Sequence, residues 1–129
     1  LIDIRNLLSH SGLSVPQLLT NTIDAMAPAL RFCCHGDGTL ALFHGSDEGL
    51  PVLLDAVLQQ TGTRSRKRAA MTDSGYEKVT GGRSLLLVDA GLPPPDGYDG
   101  AAHAGSAAFE FSSGREKIIV NCGAFESPA

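Results

Sequence analysis

The stretch "PALRFCCHGDGTLALFHG", residues 28–45, decides how the chain is read. Before it, apolar residues recur every three to four positions; within it they alternate around Gly36-Asp37-Gly38. A change of period from 3.6 to 2 marks a passage from helix to strand, because successive side chains of a strand point to opposite faces. Gly-Asp-Gly supplies the positive φ angles of a tight loop, so a hairpin is expected there. Pro28 is expected to end the preceding helix, since it has no N–H to donate and disfavours helix in the residue before it.

Upstream, "LIDIRNLL" places Leu1, Ile4, Leu7 and Leu8 on one helical face, and Gly12 stops that helix. A second helix is expected from "SVPQLL", where Ser14 and Gln17 have capping-box spacing and Pro16 is tolerated in a first turn. Leu18, Leu19, Thr22, Ile23, Met26 and Ala27 then share one side. Downstream, "LPVLLDAVLQQ" (50–60) has helical spacing, and 61–75 reads as a polar loop. Strands are expected around 76–80, 84–89, 106–112 and 117–122. Between the second and third of these, "GLPPPDGYDG" (91–100) breaks regular structure. The expected fold is mainly β, a β-sandwich with N-terminal helices and one short inserted helix, α+β by content. Residues 1–28 form its helical segment and 29–129 its β domain.

The chain has 129 residues, 43% of them hydrophobic, which suits a folded domain with a core. A net charge of −4 argues against nucleic acid as a partner. No apolar run approaches the roughly 18 residues of a membrane span. The first residues carry Asp3 and no basic leader, unlike a signal peptide, and the chain reads as a piece of something longer. Cys33, Cys34 and Cys122 form no C-x-x-C and read as small hydrophobes.

Chemistry has few candidates. His103 stands at a loop-to-strand junction among Ala102, Ala104 and Gly105, where a rigid strand could position it. His10, His35, His44, Asp89 and Asn121 show no metal-ligand spacing. No nucleophile elbow and no phosphate-binding loop occur. In the basic run "TRSRKRAA", Arg64, Arg66, Lys67 and Arg68 could clamp anionic sugar groups, because guanidinium forks match carboxylate and sulfate.

Three segments together resemble a known family: "MAPALRFCCHGDGTLALFHGS" (26–46), "SGYEKVTGGRSLLLVDAG" (74–91) and "AHAGSAAFEFSSGREKIIVNCGA" (102–124). They are similar to the heparinase II/III-like polysaccharide lyases, over roughly residues 25–126, at the start of the C-terminal β-sandwich. The resemblance implies that the first helices close an α/α-toroid. It also implies a full-length parent that cleaves uronic-acid polysaccharides by β-elimination, in the bacterial periplasm or cytoplasm, with anionic polysaccharide as partner. In the family a motif like H-x-H-A-D and a strand-end Asp supply a histidine near the substrate and a structural metal site. Here His103 stands at the second histidine, Ala101 at the first, Gly105 at the Asp and Asn121 at the strand-end Asp. The implied site at His103 and Asn121 is therefore degenerate. No bound metal or other cofactor is expected, His103 is the catalytic candidate that remains, and the chain alone is expected to be inactive; the alternative is a non-catalytic β-sandwich that binds glycan or serves as a structural interaction domain. Tyr76 stands at a position the family favours as aromatic, with packing as its expected role.

Overall fold

The computed structural model describes residues 1–61, 70–93, 95 and 107–122. Three α-helices come first: α1 (Ile2–His10), α2 (Gln17–Phe32) and α3 (Pro51–Gln60), with a 3-10 turn at Phe43–Gly45 between the last two. Five strands follow: β1 (Ala70–Met71), β2 (Tyr76–Gly81), β3 (Ser84–Asp89), β4 (Phe109–Ser113) and β5 (Glu116–Ile119). They form one antiparallel sheet in the order β1-β2-β3-β4-β5. The architecture is α+β, with the strands gathered after the helices as their period-two pattern requires.

Two-residue turns build the sheet. Gly82 at φ +58° and Gly114 at φ +61° open the β2–β3 and β4–β5 turns, whose twist needs positive φ. Alternation then sorts the side chains. On one face stand Tyr76 and Lys78 of β2, Leu85, Leu87 and Asp89 of β3, and Glu110 and Ser112 of β4. That face is covered: Phe32, Ala41 and Leu87 form a buried cluster, with Cys33, Phe43, Met71, Tyr76 and Leu85 packed against it. The other face carries a cross-strand row of Val79, Leu86, Phe111 and Ile119. Val79 and Ile119 there are 57% and 43% exposed. Glu110 and Ser112 thus lie on the covered face beside Leu85 and Leu87, while Phe109 of β4 is 45% exposed on the other.

Several expected boundaries move. α2 does not stop at Pro28 but continues to Phe32, with the proline inside it. Residue 28 gives no hydrogen bond to the carbonyl four residues back, yet the last turn is held from outside by Lys78, whose Nζ donates to Phe32 O at 2.7 Å and Cys34 O at 2.9 Å. At its other end α2 begins at Gln17, not Ser14. Pro16 occupies the N-cap with no side-chain cap, and its carbonyl accepts from Leu19 N–H and Thr20 N–H. Of the expected apolar side, Ile23 and Ala27 are buried, while Leu18 and Met26 face out.

The turn at Gly36–Gly38 forms, closed by His35 N–H to Thr39 O at 2.8 Å, but the two long strands expected beside it do not. Only Cys34 and Leu40 bridge. The residues after Thr39 instead lie over the sheet, where Ala41 and Phe43 join the core. In the expected loop 61–75, Ala70 and Met71 pair with Glu77 and Tyr76. α1 buries none of its residues and is tied through Arg5 Nη2 to Gln60 O and Asn6 Nδ2 to Gln60 Oε1, both at 2.8 Å, at the end of α3.

Candidate functional site

The sheet's covered face holds two histidine–carboxylate pairs. The first grows from β4, where alternation turns Glu110 and Ser112 inward, opposite Leu87 and Leu85. His35 drops onto them from the turn after α2. Its Nε2 lies 2.8 Å from Glu110 Oε2 and its Nδ1 3.0 Å from Ser112 Oγ. Glu110 Oε1 accepts from Leu42 N–H at 2.8 Å and from Asn121 N–H at 3.1 Å. With Nε2–H donating to the carboxylate, Nδ1 is free to accept the Ser112 hydroxyl, so every polar atom of the trio has a partner. Serine, histidine and glutamate are the parts of a nucleophilic set, but the His35 and Glu110 side chains are 0% exposed and Ser112 is 1% exposed. No substrate reaches them. The trio joins the end of α2, the 39–42 segment, β4 and the end of β5.

The second pair lies on the same face, one inward-facing position along β3 from the residue opposite Glu110. Asp89, the last residue of β3, accepts from His44 Nε2 at 2.7 Å through Oδ2 and from Gly91 N–H at 3.2 Å through Oδ1. His44 adopts φ +53°, a conformation unusual for a residue with a Cβ, and its side chain is 33% exposed. Such strain persists where surrounding bonds over-determine it, and here the Asp89 carboxylate holds the ring. Tyr76 completes the cluster, its ring 6.4 Å from the His44 ring and 5.3 Å from Phe43. Burial, then the Asp89 and Cys33 charges, push its phenol up to about 12. At neutral pH Tyr76 is a neutral phenol and a packing group, in keeping with its expected role.

Asp89 and Asn121 lie at one edge of the sheet on either side of the start of β4. Asp89 N–H donates to Ala108 O, and Ala107 N–H to Asp89 O, each at 2.8 Å. The carboxylate is turned to His44, not to Asn121. Asn121 gives its backbone N–H to Glu110, and its buried Nδ2 has no partner among the described residues. His103, Arg64, Arg66, Lys67 and Arg68 lie outside the described residues. Among the described residues, no three His, Cys, Asp or Glu side chains gather to hold a metal. Around Asn121 the donors are a neutral amide and a Glu110 carboxylate already holding two N–H groups and His35, which do not fit a divalent cation.

The half-buried Cys33 and Cys34 thiols are both pushed up by burial, opposed by the Lys78 charge. They are poor nucleophiles at neutral pH. Two residues that hold this face together, Lys78 and Glu110, belong to no sequence motif. The available signal was parity: each is charged and shares a strand face with core residues.

Residues 63–128, half of the chain, match the family described as heparinase II/III-like, C-terminal. The chain belongs to the heparinase II/III-like family. A second comparison agrees in extent: the chain is 34% identical over 123 residues to "FtsZ-localized protein C" of Caulobacter vibrioides (strain NA1000 / CB15N). That alignment covers 95% of this chain and 21% of the relative, so this heparinase II/III-like segment spans about a fifth of that protein's length. No solved structure matches. Among the described residues of the heparinase II/III-like chain, no helix is long and apolar enough to cross a membrane.

Proposed function

We propose that this segment is a non-catalytic β domain of a heparinase II/III-like protein, one that anchors a helical neighbour to a sheet and presents a surface to a partner. One observation carries the reading. The acid–base groups on the sheet's covered face are committed to scaffold contacts: His35 and Ser112 to Glu110 and each other, Glu110 to two backbone N–H groups, Asp89 to His44 and Gly91. The similarity to a relative named for its localization supports an interaction role as well. In this reading residues 1–28 close an α/α-toroid and 29–129 open a β-sandwich, with α2 running through the junction. The test is incubation of the purified chain with heparan sulfate and with alginate, following the ultraviolet absorbance of unsaturated uronate. No product is expected; turnover by the chain would contradict the proposal.

Family membership favours a second reading, in which the whole protein is a lyase acting on uronic-acid polysaccharides. Such an enzyme must neutralise the uronate carboxylate, remove the C5 proton and protonate the leaving oxygen. This domain would then support the polysaccharide cleft, with the basic residues Arg64, Arg66, Lys67 and Arg68 meeting the anionic chain and His103 beside it. The full-length protein separates the two readings: product formation by it, with none from the isolated chain, would establish the second.

A further inference from the structure

At the end of the sheet away from Asp89, three turns meet. Gly114 N–H donates to Arg83 O at 2.7 Å, joining the β4–β5 turn to the β2–β3 turn. The Gly36 turn seats so closely on the Gly114 carbonyl that a Cβ at 36 would collide with it. A Cβ at Gly114 would meet Arg83 Nη2 at 2.6 Å, so the guanidinium lies across that glycine. The backbone contact at 36 and the φ of +61° at 114 require glycine, and the turns bring Arg83 and Arg115 to one rim of a groove of about 850 Å³. Arg31, in the last turn of α2, lines the same groove.

The charge balance there runs against that of the chain. Arg31, Lys78, Arg83 and Arg115 line the groove against Asp37 and Asp55, in a chain whose net charge is −4. Lys78 caps α2, neutralising the helix's negative end, and Asp37 is held by Thr39. Arg31, Arg83 and Arg115 are exposed, and among the described residues none of them makes an ion pair or side-chain hydrogen bond. Asp55 is the acidic side chain left facing them.

From this we infer that the groove docks a carboxylate-bearing segment of a partner protein. Three guanidinium forks fit carboxylates bidentately. The aliphatic lining of Pro28, Leu54 and Leu85 fits the apolar side chains of a peptide. An anionic sugar chain would meet the same forks but leave the aliphatic lining of Pro28, Leu54 and Leu85 without an apolar partner. The inference rests on the interaction reading and names the chemistry of its partner.

The test uses the full chain and a fluorescent peptide alternating glutamate with leucine, its glutamine counterpart, and a heparan sulfate oligosaccharide, by anisotropy. The glutamate peptide is expected to bind, to weaken with salt, and to lose about threefold in affinity for each of Arg31→Gln, Arg83→Gln and Arg115→Gln. Asp55→Asn should strengthen it. Circular dichroism of each variant shows whether the fold is kept; should Arg83→Gln disturb its turn, Arg31→Gln and Asp55→Asn still decide. Equal binding of the glutamine peptide, no change in the arginine variants, or tighter binding of the oligosaccharide would overturn the inference. None of these results produces unsaturated uronate, so they are distinct from failure of the interaction reading itself.

Discussion

The Nζ of Lys78 sits 2.7 Å from the carbonyl of Phe32, closing the end of α2 from a strand 46 residues further along the chain. It also reaches Cys34 O and lies 5.7 Å from the centre of the Phe32 ring. A cation at a helix C-terminus meets the negative end of the dipole and carbonyls that have no intrahelical donor. This contact closes the turn that α2 makes beyond its own proline.

Lys78→Met keeps the stem and removes the donor. Two buried-side carbonyls lose a charge-assisted partner, at a cost of about 1–3 kcal/mol in denaturant unfolding. Hydrogen exchange should rise first at the amides of residues 29–34. An unchanged unfolding midpoint would show that the cap is dispensable.

Tyr76 gives a pH signature. Its folded phenol is pushed up to about 12, above the ordinary 10, so between those values the folded state binds more protons than the unfolded one. Stability contributed by the neutral phenol is complete below about pH 10 and falls as pH rises towards 12. Lysines titrate in the same range, so the difference between wild type and Tyr76→Phe isolates the tyrosine. The variant should lose less stability over that interval, and tyrosinate absorbance should show one late-titrating phenol that the variant lacks.

Asp37 gives the opposite sign. Burial pushes its carboxyl up, but the Thr39 N–H and hydroxyl outweigh this, with help from Lys117 and His35, and hold it below its ordinary value. Its stabilisation is present above the unfolded-state value and is lost as pH falls through the lowered folded one. Asp37→Ala should cost about 1 kcal/mol at neutral pH, because it removes the bonds that shape the Gly36–Gly38 turn. At strongly acid pH the variant and the wild type should converge.

Much of this fold is legible in local pattern. β2 and β3 follow from alternation and the Gly82 turn, and α3 follows from its spacing behind Pro51. What is not legible depends on residues distant in sequence. Pro28 looks like a stop because the lysine that caps the turn beyond it lies in β2. The 39–45 segment looks like a strand because its alternation is real, but those apolar residues pack onto a sheet formed later in the chain. Glu110 and Ser112 alternate with Phe109 and Phe111, and period two does not say which set faces inward; His35, 75 residues earlier, decides it. Of the family positions, Asn121 is now placed, while His103 and the basic run at 64–68 lie outside the described residues.

The central claim is that the histidine–carboxylate pairs of this face hold the fold. A double-mutant cycle on His35 and Glu110, read by denaturant unfolding of His35→Ala, Glu110→Ala and the double variant, tests it most directly. Removing one member leaves the other buried without its partner, so each single change should cost about 3–5 kcal/mol. The double variant should cost about 2 kcal/mol or more less than the sum of the singles. Single costs near zero, or strictly additive ones, would contradict the claim and return His35 and Glu110 to the list of groups available for chemistry.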